Sequence, residues 1–390
     1  MYKRVILVFL FTAWICLLVY GNLAKAETPG ISPDKILLGT SLPLSGHAAY
    51  LGQEVLKGMQ AYFNFINQQG GVCGRKIVLK AYDDAYNPPL TIGNVKNLVE
   101  KDRVFALLSL VGTPTTLTVV EFCKKKHIPL LFPITGAIEL RRPVRRYVFN
   151  LRPSYWDESR LAVDFLIKKL HKKRFAILYQ HDAYGLNGLE GIKRRLLHYD
   201  LDLVGKAYFF RGAHNLDKQL NKLLKTNPEV IAIIGTAEIY AKFMQDLWLR
   251  EKAKNIIFLG ISFTGAYTLA QEIKNLPYDV YITQVLPSFN EDLPAAKEYR
   301  KLFQRYFPQQ SYSSLSFEGF LNAKLFTVAL QKLGPHPSRQ KLIVTLERFR
   351  NLDLGLAEKI SFSANDHQGL KKVYLIHIKN DQLFCLSPEI

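Results

Sequence analysis

The chain has 390 residues, with 52 Lys+Arg against 33 Asp+Glu and a formal charge of +19. Its 48% hydrophobic content excludes a disordered chain, because that is enough apolar material for a core. Four cysteines in this length exclude a disulfide scaffold, and at roughly 100–200 residues per domain the expectation is two domains.

Residues 1–26 read as an export signal that precedes the fold. Lys3 and Arg4 form a positive start, residues 5–20 are an apolar run broken only by Thr12, and Ala24-Lys25-Ala26 is an A-x-A cleavage site. The run falls short of the ~20 residues that span a bilayer. Cys16 is a poor match to a lipidation site, because Trp14 and Ile15 before it are bulky. Cleavage after Ala26 removes Lys3, Arg4 and Lys25, which lowers the charge from +19 to +16. The mature chain keeps Cys73, Cys123 and Cys385, an odd number that cannot all pair internally.

A buried strand is expected over 35–43, followed by Ser45-Gly46. A helix over 54–68 shows apolar spacing at Val55, Met59, Tyr62, Phe63 and Ile66, and Gly70-Gly71 stops it. A strand over 76–82 ends in Asp83-Asp84. A helix over 90–101 and a strand over 104–111 follow. Thr113-Pro114 opens another helix, a cap-type residue before a proline at the first helical position. A strand over 129–134 completes a β-α-β-α period, which predicts a parallel sheet with helices on both faces. The rhythm then restarts. Helices over 158–170, 186–198, 216–225 and 239–250 alternate with strands over 175–180, 203–210, 230–235 and 256–260. A strand over 280–285, helices over 295–306 and 318–333, and a strand pair at 373–379 and 382–386 close the chain. Two similar α/β units without a linker predict two lobes facing a cleft.

Motifs for catalysis are sparse. Gly185, Gly188 and Gly191 form G-x-x-G-x-x-G, which lacks the close G-x-G pair a pyrophosphate needs. No Walker loop, H-E-x-x-H, G-x-S-x-G or metal-ligand spacing occurs, so no enzyme, cofactor or metal is expected. Asp83 and Asp84 are adjacent on a strand and point to opposite faces, which argues against an acid/base pair. Basic clusters at 124–126, 141–146 and 168–174 read as solvated helix ends, so no nucleic-acid partner is expected.

What remains is a set of polar loops at the carboxyl ends of strands, where open α/β sheets bind ligands. In the first unit they carry Ser45, Gly112, Thr113, Thr115, Thr116, Thr135, Gly136 and Ala137. Hydroxyls and free N–H groups at 113–116 suit a carboxylate, and simple capping explains the same residues equally well. In the second unit the loops carry Asp182, Tyr184, Thr236, Glu238, Ser262 and Phe263. Tyr50 and Tyr184 read either as aromatic walls over a ligand or as ordinary packing.

These segments include ILLGTSLPLSG at 36–46, GGVCGRKI at 70–77, YDDAYNP at 82–88, YVFNLR at 147–152, HDAYG at 181–185 and TQVLP at 283–287. On them the chain resembles the type I periplasmic binding proteins of ABC importers, in the branched-chain amino-acid (Leu/Ile/Val) group. The resemblance implies an α/β fold of two Rossmann-like lobes with parallel sheets, joined by three hinge crossovers near Asn150, near Leu286 and around 356–360. Lobe one would be 27–150 plus 287–356, and lobe two 151–286 plus 357–390. It further implies a monomeric, non-enzymatic protein of the periplasm. Such a protein captures a small ligand by hinge closure and presents it to an ABC permease in the inner membrane. The same fold also serves as a ligand-sensing receptor module coupled to a signalling partner, which is the alternative.

In the amino-acid binders the ligand carboxylate meets the loop matching 112–116, and the loop matching 135–137 helps hold the head. Tyr184 matches a family tyrosine, and Tyr50 an aromatic that covers the pocket. This chain departs from the pattern at 260–263, where the family places an acidic residue against the ligand's ammonium and none stands here. Thr236 likewise stands where tyrosine is usual. A buried ammonium without a counter-charge is unfavourable by several kcal/mol. The expected ligand is therefore a small amino acid, related carboxylate or amide, with Asp182 or Glu238 as the available acids.

Overall fold

The computed structural model describes residues 28–251 and 255–386. The export signal expected at 1–26, with Cys16, lies outside them.

The first sheet is built from β1 (Lys35–Leu42), β2 (Lys76–Asp83), β3 (Ala106–Leu108), β4 (Leu130–Leu131) and β5 (Val148–Phe149). All its pairs are parallel, in the order β2-β1-β3-β4-β5. Its helices are α1 (Ala49–Gln68), α2 (Pro88–Lys96), α3 (Thr113–Leu117) and α4 (Val120–Lys125). α1 buries Leu51, Val55, Met59, Tyr62, Phe63 and Ile66, one apolar stripe that meets the sheet. α2 starts on a proline and widens into a π turn over Asn97–Lys101.

β3 and β4 are shorter than the apolar runs at 104–111 and 129–134 suggest. Ser109 and Phe132 follow the two ladders with φ of 55° and 52°, left-handed conformations that end extended backbone. Asn322 secures both kinks: its Nδ2 donates to Ser109 Oγ at 2.9 Å and to Phe132 O at 3.1 Å. The loops that follow are thereby aimed out of the sheet.

The second sheet contains β6 (Phe175–Gln180), β7 (Gly205–Phe209), β8 (Val230–Ile234), β9 (Ile257–Gly260), β10 (Val280–Gln284), β11 (Tyr374–Lys379) and β12 (Gln382–Leu386). Its order is β12-β11-β10-β9-β8-β6-β7. β6 to β10 are parallel, whereas β10, β11 and β12 pair antiparallel, so this sheet is mixed. Asn380 and Asp381, at φ of 49° and 63°, make the tight hairpin turn between the last two strands. The helices are α5 (Tyr155–Lys168), α6 (Ala183–Leu197), α7 (Asp217–Leu224), α8 (Ala237–Glu251) and α9 (Ala266–Glu272). Ser154 and Asp157 form a reciprocal capping box at the start of α5. The buried face of α6 carries Gly185, Gly188 and Gly191, so the glycine motif serves packing.

Between β10 and β11 the chain returns to the first sheet as α10 (Pro294–Tyr306), α11 (Ser314–Leu333) and α12 (Arg339–Glu347). α10 and α11 pack on α1. The chain thus passes between the two units three times: after β5, after β10 and after α12. No helix among the described residues is long and apolar enough to cross a membrane. Cys73, Cys123 and Cys385 are free thiols.

Candidate functional site

The loops leaving the carboxyl ends of the first sheet's strands meet those leaving β6, β8 and β9. Gly112 has φ of 101°, and a Cβ there would lie 2.3 Å from the Tyr86 ring, so only glycine fits. Next to it, Thr113 Oγ1 and Thr135 Oγ1 share a hydrogen bond of 2.6 Å, and Thr135 Oγ1 also accepts from Ala137 N at 3.1 Å. Thr115 Oγ1 is turned back onto Val111 O at 2.5 Å. Thr116 Oγ1 is buried without a hydrogen-bond partner. Gly136 O accepts from Tyr155 N at 2.8 Å, and a Cβ on Gly136 would fall 2.6 Å from that nitrogen. Arg141, buried beneath this loop, donates to Thr135 O and Ala137 O. Burial, then the nearby Arg152, lowers the Arg141 pKa to about 10.

Four buried rings pack together beside these loops. Tyr155 and Tyr184 have centroids 5.6 Å apart, Tyr184 and Phe263 4.8 Å, and Tyr86 and Phe263 5.9 Å. The Tyr155 hydroxyl lies against Thr113 and Thr135, and the Tyr86 hydroxyl against Gln180, but neither makes a well-formed hydrogen bond. Thr236 Oγ1 is likewise buried and unpartnered. Burial pushes the pKa values of Tyr86, Tyr155 and Tyr184 upward, so these phenols stay protonated and can donate. A buried hydroxyl left unpaired is unfavourable by about 1–3 kcal/mol, so this concentration of them calls for a partner.

Several contacts tie the units together around these rings. Tyr50 Oη donates to Thr264 O at 2.8 Å and accepts from Ala237 N, the first residue of α8, at 3.2 Å. Arg211 donates to Tyr86 O and to Asp182 Oδ2, the latter at 2.7 Å, while its guanidinium lies 4.4 Å above the Tyr86 ring. Asn187 donates to both carboxylate oxygens of Glu139 and accepts from Ile138 N.

The acidic groups nearby are engaged. Asp182 Oδ1 caps α6 by accepting from Tyr184 N and Gly185 N, and Oδ2 pairs with Arg211. Glu158 accepts from Ser262 N at 2.8 Å, Ser262 Oγ at 2.9 Å and Thr283 Oγ1 at 2.5 Å. Glu318 lies 3.3 Å from Arg152 Nε, and Arg152 Nη2 donates to Ser262 Oγ at 2.5 Å. Burial raises the Glu158 and Glu318 pKa values, against the pull of Arg152.

The structure therefore gathers Tyr50, Gly112, Thr113, Thr135, Gly136, Tyr184, Thr236 and Phe263. Ser45 is exposed and bonded to Asp83. Glu238 is exposed in the first turn of α8. Asp182 and Ser262 belong to the surrounding polar network. Sequence reasoning missed Tyr86, Tyr155, Arg152, Glu158, Asn187 and Arg211. Tyr86 lay within a quoted motif, and Tyr155 directly follows a capping serine, but neither pattern marks a ring as facing a cleft.

The sequence pattern of the family described as periplasmic binding protein matches residues 35–382. The chain belongs to this family. It is similar to the crystal structure of a possible leucine/isoleucine/valine-binding protein from Rhodopirellula baltica SH 1. That match has 29% identity and a TM-score of 0.87, and covers 93% of this chain and 99% of that one. It is also similar to Leu/Ile/Val-binding protein homolog 3 of Brucella melitensis biotype 1, at 26% identity over 199 residues. That alignment covers 48% of this chain and 54% of the relative, about half the length of each. A branched chain amino acid ABC transporter structure from Thermus thermophilus, with bound valine, shares the fold at a TM-score of 0.82 and 16% identity, covering 92% of this chain and 96% of that one. The family accounts for the two-sheet architecture, and its relatives here are binding proteins.

Proposed function

We propose that this periplasmic binding protein is the substrate-capturing component of an ABC importer. It takes a small amino acid, related carboxylate or amide between two lobes, residues 27–150 plus 287–356 and residues 151–286 plus 357–390. The lobes close by rotation about the three crossovers, and the closed form is what a permease in the inner membrane engages. Export after cleavage at Ala26 brings the chain to the periplasm, the compartment its family implies.

The observation that carries this reading is the set of buried, unpartnered hydroxyls of Tyr86, Tyr155 and Thr236 where the two units meet. A ligand's polar atoms would satisfy them. The Thr113–Thr135 pair would hold the ligand's head, Gly112 and Gly136 would allow close approach, and Tyr50 would fasten the second lobe. The relatives named for Leu/Ile/Val binding support the ligand class.

A thermal-shift panel of branched-chain, aromatic and polar amino acids, amides and short organic acids tests this. A binder raises the midpoint in proportion to the logarithm of its concentration, and small-angle scattering reports compaction. No shift across the panel, with no compaction, rejects the reading.

A further inference from the structure

We propose that the ligand is a small carboxylate with an aromatic or branched apolar tail and no α-ammonium group. This deepens the reading of the interlobe space as a ligand site and rests on it. An ammonium buried here would need a free acid, and the described residues offer none. Glu158 already accepts three hydrogen bonds and faces Arg152. Glu318 is paired with that same arginine. Asp182 uses both oxygens, on the start of α6 and on Arg211. Glu238 stands exposed to solvent.

The aromatic walls do not substitute for an acid. Arg211 already lies on the face of Tyr86, so that cation-binding face is taken.

The hydroxyl inventory points the same way. Thr113 and Thr135 share one hydrogen bond, so the pair has two protons and uses one between them. The second proton is free to donate. The Tyr155 hydroxyl lies loosely against this pair and can turn to a ligand. Two O–H donors side by side suit the two oxygens of a carboxylate, in charge-assisted hydrogen bonds. Behind the head, Tyr184 and Phe263 present apolar ring surface to a tail.

Matched pairs that differ only in the ammonium group test the proposal: 3-phenylpropanoate against phenylalanine, and 4-methylpentanoate against leucine, titrated calorimetrically into the mature protein at neutral pH. The expected result is that in at least one pair the acid binds about tenfold or more tightly than its amino acid. Equal or tighter binding of the amino acids overturns the inference and leaves the importer reading standing. Equal binding of 3-phenylpropanamide and 3-phenylpropanoate also overturns it, because the head is then not read as a carboxylate. No binding by any acid, amide or amino acid overturns both.

Tyr155→Phe supplies an independent readout. The hydroxyl makes no well-formed hydrogen bond within the protein, so its removal should change the unliganded melting temperature little. It should weaken the acid by about tenfold. Unaltered affinity removes Tyr155 from the head site and refutes the donor arrangement.

Discussion

Tyr50→Phe isolates the coupling between closure and binding. The hydroxyl spans the two units, donating to Thr264 O at 2.8 Å and accepting from Ala237 N at 3.2 Å. Thr264 and Ala237 are almost fully buried, so phenylalanine leaves both backbone groups dry and unpaired in the closed form. In an open form both groups would face water and lose nothing. The penalty therefore falls on closure alone. Two hydrogen bonds at about 1 kcal/mol each give about 2 kcal/mol. At 1.4 kcal/mol per decade, the dissociation constant should rise about 30-fold. Titration calorimetry with the panel compound that gives the largest thermal shift measures this, and small-angle scattering should show a larger share of extended molecules at equal ligand. The melting temperature without ligand should stay within about a degree of the parent. An affinity unchanged within about twofold would refute the assignment of Tyr50 as a closure contact. A large fall in unliganded stability would make it a fold residue instead.

Other perturbations separate the remaining roles. Arg211→Ala removes an ion pair with Asp182 and a hydrogen bond to Tyr86 O, so ligand release in stopped-flow fluorescence should speed up about 5- to 30-fold; an unchanged release rate would place Arg211 outside the closure contacts. Asn322→Leu leaves Phe132 O and Ser109 Oγ without their donor, so urea denaturation should show a loss of about 2–4 kcal/mol; a loss under about 0.5 kcal/mol would mean the kinks hold themselves. The third concerns pH. The folded pKa of Glu158 is raised above the ordinary 4.5, so the folded state retains a proton that the unfolded state has released. Its contribution is most favourable below 4.5 and declines as pH rises from there through the raised folded value. Melting temperature against pH should therefore fall less steeply in Glu158→Gln over that interval, and parallel curves would refute this.

Much of the fold was legible because apolar runs and breakers coincide with elements. The run of β1, the stripe on α1 and the Asn380-Asp381 turn each carry a local physical signal. Ser109 and Phe132 carry none: nothing in their side chains announces a left-handed backbone, and the residue that secures them sits on a distant helix. The helices at 266–272 and 339–347 escaped notice because they are short. At the candidate site, threonine-rich loops after strands stood out as polar loops at strand ends, a pattern that simple helix capping shares. Which tyrosines face the cleft could not be read, because Tyr86 and Tyr155 look like any buried ring until the second unit is placed. Glu158 was hidden for a related reason. It lies on a helix that only tertiary packing turns toward the 260–263 loop, where its carboxylate accepts from Ser262.

The Asn322 clamp has a bearing on biogenesis. The residue it secures most directly, Ser109, lies 213 positions earlier in the chain. The partners of Tyr50 at Ala237 and Thr264 lie 187 and 214 positions later. A polypeptide made from its N terminus thus presents the loops after β3 and β4 long before it presents what shapes them. Contacts of such sequence separation form late, since the chain must first close long loops. The face between the two units is therefore complete only when nearly the whole chain is present, so a fragment ending before Asn322 would lack both the clamp on Ser109 and Phe132 and the helix that carries it.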